Sequence, residues 1–211
     1  CSHLEVSCPT GCVFNRNGDE VKANRQDHQT GDERWEHEAQ LAHTAAMLMN
    51  QSSEAVHVCV FDGQNVVSID RHEMSESNNE IIRLEREPAY CTGTGKAILA
   101  ALPEDTARTQ LTNDPERYTS NTITDPKLLM DELSKTRSRG YSIDNEERQY
   151  GIRCVGAAIR HRNKVVGAIS LTGPKERFSD DRITVLADLI MATAERISLS
   201  IEKGGGVNDD I

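Results

Sequence analysis

The sequence predicts an α+β fold: a GAF/PAS-like antiparallel sheet flanked by helices. Three observations predict it. Strand-like segments at 56–61 and 66–69 are separated by Asp62-Gly63, a tight hairpin signal. A second pair, 152–160 and 165–172, turns at His161-Arg162-Asn163-Lys164. Helical periodicity brackets both hairpins. Strands joined by hairpins pair antiparallel, and helices at both ends must pack on the sheet, which excludes a doubly wound parallel architecture.

The elements follow in order. Residues 1–36 carry scattered apolar residues without period, and Asn, Asp, Gln, Gly and Arg dominate from Asn15 to Glu33. They are expected to form a poorly ordered leader with no recognisable winged helix-turn-helix, before a domain over 37–203 and a tail over 204–211. Trp35, Ala39, Ala42, Ala45, Ala46 and Met49 recur at helical spacing, predicting a helix over 34–50. After the first hairpin, Ile81-Ile82-Arg83-Leu84 reads as a short third strand. Cys91-Thr92-Gly93-Thr94-Gly95-Lys96 leads into an Ala/Leu run that ends at Pro103, which predicts a short buried helix; residues 104–111 form another. Residues 119–124 are a Thr-rich connection. Asp125-Pro126 starts a helix, Asp as cap and Pro in the first turn, with Leu128, Leu129 and Leu133 inward and Gly140 as terminator. A strand over 141–145 precedes the second hairpin, whose long apolar runs place it mid-sheet. Ser179-Asp180-Asp181 caps a last helix with Ile183, Leu186, Ile190, Ala194, Ile197 and Ile201 on one stripe.

Charge and composition narrow the function. Among 211 residues, 34 acidic against 24 basic side chains give a formal charge of −10. Such a chain repels a phosphate backbone unless its positive charge is concentrated. No run of about 18 apolar residues predicts a membrane span, and no signal peptide is visible. The chain begins at Cys1 rather than Met, which fits a fragment or a processed or tagged chain. Cys59, Cys91 and Cys154 stand singly in apolar settings, as buried thiols do in a reducing compartment. Cys1, Cys8 and Cys12 crowd the start, but C-x6-C-x3-C matches no common zinc pattern. No metal and no cofactor is expected.

Four features could carry chemistry. Gly93-Thr94-Gly95 opens a helix whose first N–H groups lack intrahelical acceptors, so a carboxylate is a natural guest; tight packing alone would also require the glycines. The pattern does not make a P-loop, because Ala97 follows Lys96 where Ser or Thr belongs. Asp144, Glu146 and Glu147 follow a strand. Asp144 could accept from a ligand hydroxyl or hydrate, the carboxylates could bind a metal, or they could form a solvated turn paired with Arg148 or Arg153. Cys154 lies in an apolar strand and reads as a pocket-lining or core thiol. Ser170 and Thr172 share one face by period two and need partners, either a ligand or neighbouring backbone. Ile82 and Leu84 are expected to form an apolar lid.

Three stretches together resemble the effector-binding domain of the IclR family of transcription regulators. They are the run from Pro88 through Cys91-Thr92-Gly93-Thr94-Gly95-Lys96 to Ala100, the run from Gly140-Tyr141-Ser142-Ile143-Asp144 to Val155, and Gly167-Ala168-Ile169-Ser170-Leu171-Thr172-Gly173-Pro174. The first hairpin and Asn121-Thr122-Ile123-Thr124 also fit, so the resemblance covers about 35–203 in order. It implies a cytoplasmic regulator, not an enzyme, whose C-terminal domain senses a small organic acid. It further implies a winged helix-turn-helix domain that binds operator DNA as a dimer; residues 1–36 are too short to supply one. The resemblance carries Gly93, Thr94, Asp144, Cys154, Ser170 and Thr172 onto effector contacts. Thr94 replaces a usually small apolar residue, and Thr172 stands where Ser is frequent. The expected partners are a small carboxylate of roughly two to six carbons, operator DNA only through a separate domain, and further copies in a homodimer or tetramer, with no membrane. Two other classes compete: a thiol-dependent redox enzyme on a GAF-like scaffold using Cys154 or Cys91, and a stand-alone dimerisation module.

Overall fold

The structure, a computed structural model, describes residues 13–14, 20–21, 25–73, 86–112 and 114–204. The expected third strand over 81–84, the candidate lid residues Ile82 and Leu84, the cysteines Cys1, Cys8 and Cys12, and residues 205–211 of the tail lie outside the described residues. Contacts divide the chain into two compact units, 1–40 and 41–211. In the first, β1 (Val13–Phe14) pairs antiparallel with β2 (Glu20–Val21).

Helix α1 covers Arg25–Ser52, so it starts inside the stretch read as a leader. Arg25 to Arg34 are nearly all polar, and no apolar period reveals them. Arg, Gln and Glu nonetheless cost little in a helix. The Ser52 hydroxyl donates to the Leu48 carbonyl at 2.8 Å and closes the helix.

The second unit holds a six-stranded sheet. Strands β3 (Ala55–Phe61) and β4 (Asn65–His72) form the first hairpin, with Gly63 at φ +102° in its turn. The short β5 (Arg86–Pro88) pairs on the outside of β4; its Arg-Glu-Pro sequence has no alternation to betray it. A single 3-10 turn (Ala89–Cys91) then leads into α2 (Gly93–Ala101), followed by α3 (Glu104–Gln110) and α4 (Pro126–Arg139). Strand β6 (Ser142–Asn145) precedes the long hairpin of β7 (Ile152–His161) and β8 (Lys164–Pro174), and α5 (Asp180–Gly204) closes the fold. The spatial order is β5-β4-β3-β8-β7-β6, antiparallel throughout. The protein is therefore α+β, with β7 and β8 inside the sheet as their apolar runs predict.

Helix α4 begins and ends as its sequence dictates. The Asp125 carboxylate accepts from the N–H groups of Lys127 at 2.8 Å and Leu128 at 3.0 Å, and Gly140 takes φ +87°. One inward residue is corrected: Leu128 is 61% exposed, while Leu129 and Leu133 are buried. Residues four apart share a stripe, and Leu128 sits about 100° away from it.

The two sheet faces differ in chemistry. On one, Val56, Val58, Val155, Ala157, Ile169 and Leu171 pack against Ala45 and Leu48 of α1 and against Ile183, Leu186, Ile190, Ala194 and Ile197 of α5. Period two turns the alternate residues to the other face, where α2 lies on the sheet. A buried carboxylate fastens the apolar layer. Glu54 accepts from Arg177 Nε at 3.0 Å and Nη2 at 2.7 Å, and from Arg182 Nη2 at 2.8 Å, tying the start of β3 to the turn before α5 and to α5 itself.

Candidate functional site

The site starts from how closely α2 approaches the sheet. Thr92 caps the helix: its hydroxyl accepts from Gly95 N at 3.2 Å and donates to the Pro88 carbonyl at 3.1 Å. A Cβ on Gly95 would stand 2.2 Å from the Ala89 carbonyl oxygen, so only glycine fits against that turn. Gly93 lies on β7: its Cβ would meet Cys154 Cβ at 3.0 Å, and its carbonyl accepts from the Ser142 hydroxyl at 2.5 Å. A Cβ on Gly156 would be 2.6 Å from the same carbonyl. This packing sets the first turn of α2 against β6 and β7. Its leading N–H groups carry the positive end of the helix dipole.

Strand register then builds the floor. Directly opposed residues share a face. One row runs Ala55 on β3, Thr172 on β8, Cys154 on β7 and Asp144 on β6. The next row runs His57, Ser170, Gly156 and Ser142 on the same strands. In the first row the groups form a chain. The Thr172 hydroxyl donates to Cys154 Sγ at 3.3 Å, and that thiol donates to Asp144 Oδ2 at 3.6 Å. Asp144 Oδ1 accepts from Glu147 N at 2.7 Å.

Gly93, Asp144, Cys154 and Thr172 thus come together, with Ser170 beside them on the same face. Thr94 is buried too, and its side chain hydrogen-bonds Cys59 on β3. Sequence reasoning missed three neighbours, His57, Lys96 and Ser142, and named Glu147 only as one of three turn carboxylates. Only His57 carried a usable signal, because alternation along 56–61 places it on the same side as Cys59.

The charges are buried and interlocked. Lys96 is fully buried and pairs with Glu147 Oε1. The Glu147 backbone carbonyl is held in turn by the hydroxyls of Thr119 at 3.3 Å and Thr122 at 2.6 Å, which gives the Thr-rich connection its role. Burial pushes the Asp144 carboxyl up to about 7, with Lys96 opposing and Glu147 adding to the rise. Burial likewise lifts the Cys154 thiol well above its ordinary value, and Asp144 lifts it further. Cys59 is raised to about 11, and burial raises Cys91 as well. All three are protonated thiols at neutral pH, which is unsuited to the nucleophilic or redox alternative.

Glu146 lies apart from this cluster. Its carboxylate accepts from Gly151 N at 2.8 Å, which holds it below the usual carboxylate range, and it pairs with Lys175 at 3.3 Å. The expected turn partners are otherwise engaged: Arg148 pairs with Glu87 and stacks on Tyr118 at 4.1 Å, and Arg153 pairs with Asp180. Among the described residues no group of His, Cys, Asp and Glu side chains is placed to hold a metal ion.

The Asp144 shift gives a testable sign. Its folded value lies above its ordinary value of 3.8, so the folded state holds the extra proton between these two values. Its contribution to stability is full below pH 3.8 and is lost as pH rises through 7. Asp144→Asn is expected to flatten denaturant-measured stability between about pH 4 and 7, and to be relatively most favourable at the upper end. A wild type whose stability does not fall over that window contradicts the assignment.

Comparison with known proteins adds context to this geometry. Residues 37–199 match the family described as bacterial transcriptional regulator IclR C-terminal. The chain is similar to the HTH-type transcriptional regulator BhcR of Paracoccus denitrificans, 33% identical over 157 residues, covering 73% of this chain and 56% of that protein. It is also similar to the acetate operon repressor of Salmonella typhimurium, 33% identical over 163 residues, covering 72% and 58%. The chain spans little more than half the length of these curated relatives. Among solved structures it resembles the Thermotoga maritima IclR, with a TM-score of 0.73 and 31% identity over 90% of this chain and 79% of that one. It also resembles the C-terminal domain of the Escherichia coli regulator KdgR, with a TM-score of 0.66 and 29% identity over 77% and 98%.

Proposed function

Because this chain belongs to the IclR family of transcriptional regulators and carries its C-terminal effector-binding domain, we propose that the domain binds a small organic acid at the α2 entry and does not transform it. The observation that carries this reading is the buried chain Thr172–Cys154–Asp144 beneath the Gly93 turn. The ligand carboxylate docks on the leading N–H groups of α2, where the helix dipole favours an anion. Asp144, protonated below neutral pH, donates to a second ligand oxygen, and Ser170 and Thr172 supply hydroxyls. The acid shifts the population of dimer or tetramer arrangements, and this changes operator binding by a winged helix-turn-helix domain. The setting is cytoplasmic; no helix among the described residues is long and apolar enough to cross a membrane.

The test is a thermal-shift and calorimetric panel of 2-oxo and hydroxy acids with their primary amides. At least one acid is expected to raise the melting temperature while its amide does not, and Gly93→Leu is expected to abolish the response. A panel that leaves the wild type unmoved overturns the proposal.

A further inference from the structure

His57 lies on the floor of the site described above and takes no part in it so far. It is only 1% exposed, and its Nε2 has no hydrogen-bond partner among the described residues. Ser170, directly opposite it on β8, is 3% exposed. A buried ring nitrogen without a partner is uncommon, because it has given up water for nothing in the protein. Strand alternation points both toward the α2 side, the side of Cys154 and Thr172. Their neighbours differ: the Thr172–Cys154–Asp144 row is bonded in a chain, whereas in this row Ser142 donates to the Gly93 and Gly156 carbonyls and the His57 nitrogen at the other end is unpaired among the described residues.

We propose that His57 and Ser170 form a second polar subsite, which selects acids of about four to six carbons with a hydroxyl or carbonyl oxygen remote from the carboxylate. This rests on the carboxylate reading of the α2 entry. The length follows from topology. Gly93 sits over β7, and β3, which carries His57, lies two strand spacings away, about 4.8 Å each. A two- or three-carbon acid held at Gly93 stays over β7 and β8. The chemistry follows from the state of the ring. Burial, aided by the nearby Arg71 charge, pushes the imidazole down to about 4, so it is neutral with one N–H and one lone pair. A neutral ring suits a hydroxyl or carbonyl rather than a second carboxylate. Specificity of this kind is strong, because a ligand lacking the oxygen leaves the buried nitrogen unpaired.

The experiment is calorimetry on the whole chain with pyruvate, with 4-hydroxybutanoate, 5-hydroxypentanoate and 6-hydroxyhexanoate, and with the matching unsubstituted acids. The wild type is expected to prefer at least one hydroxy acid over its unsubstituted counterpart about tenfold or more. His57→Leu is expected to erase that preference and leave pyruvate affinity within about twofold; Ser170→Ala is expected to reduce the preference. His57→Leu is also expected to melt no lower than the wild type, because it removes an unpaired polar group. A wild type that binds acids without preferring the hydroxy forms overturns this subsite and leaves the carboxylate reading standing. So does a preference that survives His57→Leu, or a His57→Leu variant that fails to fold. A wild type that binds none of these acids overturns both.

Discussion

Gly95→Ala is expected to destabilise the domain by about 3 kcal/mol or more and to lower its melting temperature by roughly 6–12 °C. The new Cβ would lie 2.2 Å from the Ala89 carbonyl oxygen and 2.3 Å from Ala89 Cα. Both obstacles are backbone, so no rotamer change relieves the clash. The segment must move, and with it the turn that places α2 on the sheet. Gly93→Ala makes the comparison. Its nearest obstacle is Cys154 Cβ at 3.0 Å, a contact that a few tenths of an ångström of movement relieves, so about 1 kcal/mol is expected. Denaturant melts of the two variants check the order. Equal and small losses would mean that α2 is not packed on the Ala89 turn.

Lys96→Met is the second large effect. Lys96 is fully buried, and its ammonium pairs with a Glu147 carboxylate whose other oxygen, Oε2, already lacks a partner among the described residues. Removing the cation leaves a buried carboxylate uncompensated, a change that costs about 3–5 kcal/mol. Replacing both members, Lys96→Met with Glu147→Leu, is expected to recover most of the loss, because the desolvation of both charges disappears with the pair. Additive losses in the double variant would show that the two do not act as a pair. The same pair acts on the Asp144 carboxyl. Lys96 opposes the rise of the Asp144 carboxyl, so Lys96→Met is expected to keep Asp144 protonated to still higher pH.

Much of this fold could be read along the chain, for identifiable reasons. The two hairpins announce themselves because Asp62-Gly63 and Arg162-Asn163 supply the positive φ values that tight turns need, and both turns occur as predicted. Helix α4 carries its cap and its terminator at the right spacing. The front of α1 and the strand Arg86–Pro88 were not legible, because polar residues carry no periodicity. Leu128 does not share the inward stripe of Leu129 and Leu133, because it lies about a third of a turn away from it.

The site divides along the same line. Gly93, Asp144, Cys154, Ser170 and Thr172 could be proposed from turn chemistry, alternation and family resemblance. Their common face follows from strand register, which is a long-range property. The pairing of Lys96 with Glu147, 51 residues apart, cannot be read from local pattern at all. Alternation places His57 on the site's face, but whether its imidazole is paired depends on neighbours from other strands.

The central claim is that an anion rests on the amides where α2 begins, above the Asp144–Cys154–Thr172 row. Backbone amide chemical shifts, followed by nuclear magnetic resonance while a binding acid is titrated in, test it most directly. The largest changes are predicted at the Gly93 and Thr94 amides, with smaller ones at Cys154, Ser170 and Thr172. Changes concentrated instead around Tyr90, Leu111 and Tyr118, which line a separate cavity of about 190 Å³, would contradict it.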